Sequence, residues 1–138
     1  MRRGIAWLWV GLAIAAVALG YVRLAPSGVA DWYVAPPAGE TGAVENGVLR
    51  MARTGPDGLA RFDRIARATP RTRVLAGSVE TGMLTYITRS AAIGFPDYTT
   101  ARQDGDQLVI WARQRFGRSD FGVNRRRVDG WLDALQAR

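Results

Sequence analysis

The chain has 138 residues, 48% of them hydrophobic, and contains neither cysteine nor histidine, which excludes disulfide staples, thiolate chemistry, lipidated-cysteine anchors, histidine triads and the common zinc and copper ligand sets. Its net charge of +7 rests on arginine alone, since lysine is absent; from Asp57 onward 14 arginines stand against 9 acids, a balance of +5 that suits anionic partners. The length leaves room for one modest domain.

From Gly4 to Val22 run 19 residues without a charge, which as a helix reach ~28 Å, close to the ~30 Å hydrocarbon core of a bilayer. Arg2 and Arg3 precede this run, Trp7 and Trp9 sit at its start, and Tyr21, Trp32 and Tyr33 lie near or beyond its end. That pattern predicts a retained single-pass anchor with a cytoplasmic N-terminus, although Arg23 on the far side narrows the charge asymmetry. The competing reading is a signal peptide cut after Ala18-Leu19-Gly20, and the length of the apolar run favours retention. Either outcome exports the rest of the chain, so the expected location is a bacterial inner membrane with the C-terminal domain in the periplasm.

Residues 23 to 56 carry Pro26, Pro36, Pro37 and five glycines, the composition of a linker or an extended strap, with one short strand at Val48, Leu49 and Met51. The domain proper is expected over 57–138. It opens with an amphipathic helix in which Leu59, Phe62, Ile65 and Ala66 share one face and Arg61, Arg64 and Arg67 another; Asp57 caps it and Pro70 ends it. Strands follow at Arg73–Val79 and Met83–Ser90 around Glu80-Thr81-Gly82, then at Asp97–Arg102 and Gln107–Phe116 around Gln103-Asp104-Gly105-Asp106, where Asp-Gly suits a type I′ turn. In the last strand Leu108, Ile110 and Ala112 alternate with Val109, Trp111, Arg113 and Arg115. Asn124 reads as the N-cap of a final helix whose apolar face is Val128, Trp131, Leu132 and Leu135. The predicted fold is α+β: an antiparallel four-stranded meander with an N-terminal and a C-terminal helix packed on one face.

The run from Arg115 to Val128, Arg-Phe-Gly-Arg-Ser-Asp-Phe-Gly-Val-Asn-Arg-Arg-Arg-Val, stands with Gly94-Phe95-Pro96-Asp97 and Tyr86-Ile87-Thr88-Arg89-Ser90. Together they resemble the family of domain of unknown function 1499, over roughly Arg73 to Leu135. The chain keeps Arg115, Gly117, Ser119, Asp120, Gly122, Asn124 and Arg127 of that pattern. It departs at Ala112 and Gln114, where serines are usual, and at Asp97, where the family often has two adjacent acids. The resemblance implies a small envelope or organelle-lumen protein without an agreed activity.

Two readings of this run stand side by side. In the structural one, Gly117 and Gly122 allow sharp turns, Ser119 and Asp120 bond exposed backbone N–H groups, and Arg115 and Arg127 pair with Asp97 or Asp120 to pin the crossover. In the functional one, the loop after Ser90 and the crossover after Phe116 meet in an arginine-lined site for a carboxylate or phosphate, built from Arg89, Asp97, Arg113, Arg115, Arg118, Ser119, Asp120, Asn124 and Arg127. No catalytic residue, metal or cofactor is expected. The expected partners are the membrane itself, an anionic lipid or envelope polymer, or a protein, and not nucleic acid. A hydrolase dividing acid and base roles between Asp97 and Asp120 is the alternative.

Overall fold

The computed structural model describes residues 2–117, 119 and 121–137. A long helix α1 (Arg2–Leu24) leads through one helical turn α2 (Val29–Trp32) into the hairpin β1 (Gly42–Val44) and β2 (Gly47–Arg53). Then come helix α3 (Gly58–Ala68), strands β3 (Thr72–Ser78), β4 (Met83–Arg89), β5 (Pro96–Asp104) and β6 (Gln107–Gln114), and helix α4 (Val123–Gln136).

Among the described residues the strands form one six-stranded antiparallel sheet in the order β1-β2-β6-β5-β4-β3. The four-stranded meander is present, but two further strands extend it, because β2 pairs with β6 along its whole length, from Gly47↔Arg113 to Arg53↔Gln107. The short strand expected at Val48, Leu49 and Met51 is present, but its full length and its place in the sheet were hidden by the proline- and glycine-rich surroundings. Val48 and Leu49 point to opposite faces and both are buried, so β2 is an interior strand. Gly47 permits the pairing: a Cβ there would collide with the carbonyl of Ala112.

Helices α3 and α4 cover one face. Phe62 and Ala66 of α3 and Val128, Trp131 and Leu135 of α4 close over Leu84, Tyr86, Ala101, Leu108, Ile110 and Ala112 of the sheet. Phe62 meets Trp131 and Tyr86 edge-on at centroid distances of 5.5 and 6.0 Å. Polar groups at this boundary are paired: the Tyr86 hydroxyl donates to Asp63 at 2.9 Å, and Trp131 Nε1 donates to Thr69 at 2.7 Å. Arg50 of β2 meets Asp129 of α4 at 2.7 Å. Burial, reinforced by the neighbouring Asp63 carboxylate, pushes the Tyr86 phenol far above the usual tyrosine range.

Three local expectations are corrected. Asp57 makes no capping bond to α3; its carboxylate pairs with Arg61 at 3.2 Å, and the open N–H of Leu59 is taken by Gln103 Oε1 at 2.8 Å. A side chain from β5 therefore supplies the cap that the local sequence does not. The β5–β6 turn is the two-residue loop Gly105-Asp106 between paired Asp104 and Gln107, with a left-handed φ at Gly105 alone, whereas type I′ needs one at both positions. Asn124 lies inside α4, and the residue before the helix is Gly122 at φ 76.

The opposite face is covered by chain rather than by a helix. Residues 25 to 33 cross it as a strap. Trp32 stacks on Tyr98 with centroids 3.6 Å apart and planes 9° from parallel, while Ser27 Oγ and the Tyr98 hydroxyl share a hydrogen bond of 2.6 Å. The carbonyl of Trp32 accepts from Arg113 at 2.6 Å and from Thr85 at 3.4 Å. This segment is the strap form of the region read as a linker or strap.

Helix α1 projects from this assembly. Its stretch Gly4–Leu24, 21 residues, is long and apolar enough to cross a membrane, and its most apolar window buries nothing against the rest of the protein. By length and composition it is compatible with an anchor or a signal sequence.

Candidate functional site

The candidate site residues separate into three environments. Asp97, Asn124 and Arg127 form a latch on the helix-covered face. Arg127 Nη2 meets Asp97 Oδ2 at 3.1 Å with both side chains 12% exposed, and its Nη1 donates to the buried Asn124 Oδ1 at 2.8 Å. The pair joins the start of β5 to the first turn of α4, as the structural reading anticipates for Arg127. Gln114 adds to the latch: its Nε2 donates to the carbonyl of Gly117 at 2.9 Å, and its backbone N–H donates to Asn46 at 3.1 Å. Ser119 accepts from the N–H of Phe121 at 3.2 Å, a turn-stabilising role. Arg118 and Asp120 lie outside the described residues.

Arg113 and Arg115 face the strap, not the acids. Arg113 is 6% exposed, lies 3.8 Å above the Trp111 ring and 5.4 Å from that of Trp32, and donates to Thr100 at 3.1 Å. Burial lowers its guanidinium pKa to about 10, which still leaves it charged at neutral pH. Arg115 does not pair with Asp97; it donates to the carbonyl of Pro26 at 2.7 Å and to the Tyr98 hydroxyl at 3.4 Å. Both arginines thus hold the strap by its backbone.

The β4–β5 loop and the β6–α4 crossover do meet, but what they bring together is aromatic. Their junction is a hollow of about 200 Å³ lined by Ser90, Phe95, Asp97, Gln114, Phe116, Ser119, Phe121 and Val123. Among the described residues lining it there is no arginine.

The arginines gather on the other side of Ser90. A cleft of about 480 Å³ is lined by Arg23, Arg71, Arg73 and Arg89, with Ile87, Ser90 and Gly94 between them. The close of the β3–β4 ladder sets two of these: the N–H of Arg89 donates to the Arg71 carbonyl at 3.0 Å, and Arg71 Nε donates back to the Arg89 carbonyl at 3.1 Å. Arg71 reaches this position with a left-handed φ of 59. Arg73 follows two residues later in β3, in register with Ile87. Arg89 Nη1 donates to Gly94 at 2.9 Å, and Ser90 Oγ accepts from the N–H groups of Gly94 and Phe95, so the loop is tight.

The fourth arginine comes from the end of α1. Arg23 donates from Nε to Ile93 at 2.9 Å and from Nη2 to Ala92 at 3.1 Å, both backbone carbonyls. No carboxylate lines this cleft, and none of the four guanidinium groups is in an ion pair among the described residues. Each guanidinium carries five N–H donors, more than these bonds use, so the cleft can receive the oxygens of a phosphate or carboxylate. Of the four, only Arg89 is singled out by the sequence. Arg71 and Arg73 leave a faint signal, two arginines two residues apart at the start of a strand; Arg23 reaches the cleft only through the path of the chain.

The family described as Protein of unknown function (DUF1499) matches residues 45–135. No curated protein and no solved structure matches the chain.

Proposed function

We propose that this chain, which belongs to the DUF1499 family, is a membrane-anchored, non-enzymatic module of the cell envelope that binds the anionic headgroup of a lipid. The observation that carries this reading is the cleft of four arginines, with no carboxylate among the described residues that line it, at the foot of the apolar helix. An envelope polymer or an acidic protein would meet the same chemistry, but a cleft that includes Arg23, the first charge after a 19-residue uncharged run, sits where headgroups are. Asp97, committed to Arg127 beneath α4, is a poor general acid or base, which weighs against the hydrolase reading.

In this reading α1 is retained, its N-terminus stays in the cytoplasm and the folded domain lies in the periplasm. A reporter active only outside the cytoplasm, fused after Arg138, is expected to be active; a stable but silent fusion would reverse the orientation.

Binding is tested with the full-length protein in nanodiscs of mixed neutral and anionic lipid, by counting the lipids that native mass spectrometry finds retained on release. Anionic lipid should be retained in preference to neutral lipid. Each basic residue at an anionic surface contributes about 1 kcal/mol, so Arg71→Gln combined with Arg73→Gln should weaken retention about tenfold to thirtyfold. Both side chains are exposed, so the melting temperature should change little. Equal retention of neutral and anionic lipid would refute the reading.

A further inference from the structure

Helix α1 serves as a depth gauge for the end of the domain that touches it. Tyr21 belongs to the uncharged run, and its ring meets Phe116 edge-on with centroids 6.1 Å apart. Phe116 lies 6.1 Å from Phe95 across the two loops. Two residues beyond Tyr21, Arg23 holds the carbonyls of Ala92 and Ile93. The β4–β5 loop and the crossover are therefore tied to the last turn of the apolar helix itself. If Gly4–Val22 fills a hydrocarbon core of ~30 Å, these loops lie at the boundary between headgroups and acyl chains.

What they present at that depth is apolar. Ile93, Phe95, Phe121 and Val123 are all exposed, and Phe121 extends 86% of its surface from a left-handed backbone at φ 52, a conformation phenylalanine rarely adopts. Behind the rings stand cations: the Arg115 guanidinium lies 5.3 Å from the Phe116 ring, and Arg23 and Arg89 bracket the loop from the cleft. Rings ahead of guanidinium groups match the layering of a membrane interface. The patch is also continuous with the exposed apolar surface of α1 through the Tyr21–Phe116 contact.

We infer that Ile93, Phe95, Phe116 and Phe121 form an apolar foot that enters the headgroup–acyl boundary of the bilayer holding α1. This rests on the reading of α1 as a retained membrane helix. The occupant is the lipid bilayer, since any bilayer that takes Tyr21 to the end of its core also meets the loops bound to that turn. Two attachments then fix the tilt of the domain, and the arginine cleft is held at headgroup height instead of sampling it from a free tether.

Because the chain lacks cysteine, single cysteines can be introduced and labelled with an environment-sensitive fluorophore in the full-length protein in liposomes. Phe121→Cys and Ile93→Cys report the two loops independently, Leu12→Cys reports α1, and Arg64→Cys reports the exposed side of α3. The labels at 121 and 93 should lose emission to nitroxides placed on lipid near the headgroup and be shielded from an aqueous quencher, while the label at 64 behaves oppositely. A shielded label at 12 with water-exposed labels at both 93 and 121 would overturn the foot and leave the anchor standing. Water exposure at 12 as well would remove the anchor reading, and the foot with it.

Discussion

Replacing Asp97 or Arg127 by alanine should lower the unfolding free energy by about 3–5 kcal/mol, because either change removes one partner of a largely buried ion pair that joins β5 to α4. The two side chains are only 12% exposed and 3.1 Å apart. Arg127 is further fixed by the buried Asn124, so the penalty cannot be relieved by turning the side chain into water. Chemical denaturation measures it. The double variant Asp97→Ala/Arg127→Ala should recover part of the loss, since it removes both charges, and the recovered part is the coupling between them. Single losses below about 1 kcal/mol would mean that the pair is in effect solvated, and that the motif is not a latch.

Trp32→Ala is expected to cost about 2–4 kcal/mol, somewhat less than a fully buried tryptophan because the ring is only half-buried. The substitution removes the stack on Tyr98 and one of the two rings beside Arg113. It keeps the Trp32 carbonyl, but the partners that hold this carbonyl, Arg113 and Thr85, gain access to water. Hydrogen exchange should therefore rise along residues 25 to 33 and on β4 and β5 beneath them, more than on the helix-covered face. Unchanged stability and exchange would show that the segment is a passive linker and that the sheet tolerates an open second face.

The contrast between these two substitutions follows how far the fold was legible in the sequence. Periodicity marked both helices, since Leu59, Phe62 and Ala66, and Val128, Trp131 and Leu135, recur at helical spacing and are all buried. It also marked the β6 alternation, with Leu108, Ile110 and Ala112 fully enclosed. It marked β2 only as a short strand at Val48, Leu49 and Met51; the full seven residues, which include a glycine and two arginines, owe their length and their place in the sheet to pairing with β6. A fragment beginning at Asp57 would strip that partner away and expose the β6 edge. The caps show the same limit: Gln103 serves α3 from 44 positions away in sequence, and no local pattern carries such information.

Of the arginine cleft, the sequence carried the residue type and not the location. Arginine in excess pointed to an anion, and the loop after Ser90 was correctly placed beside the crossover. Yet Arg113 of β6 and Arg115 just after it turned to the backbone of the strap, while Arg23, Arg71 and Arg73 joined Arg89 from two other stretches of chain. Arginine type alone cannot distinguish a guanidinium that holds a carbonyl from one left open to a ligand; only the neighbours supplied by the fold decide it.

The most direct measurement is photocrosslinking in intact membranes with a photoreactive residue in place of Arg73, the cleft arginine whose side chain makes no hydrogen bond among the described residues. An adduct whose added mass is that of an anionic phospholipid, lost when Arg71 and Arg89 are neutralised, is the expected result. An adduct with a protein or a polymer, formed while lipid is present and left uncaptured, would contradict lipid recognition at this cleft.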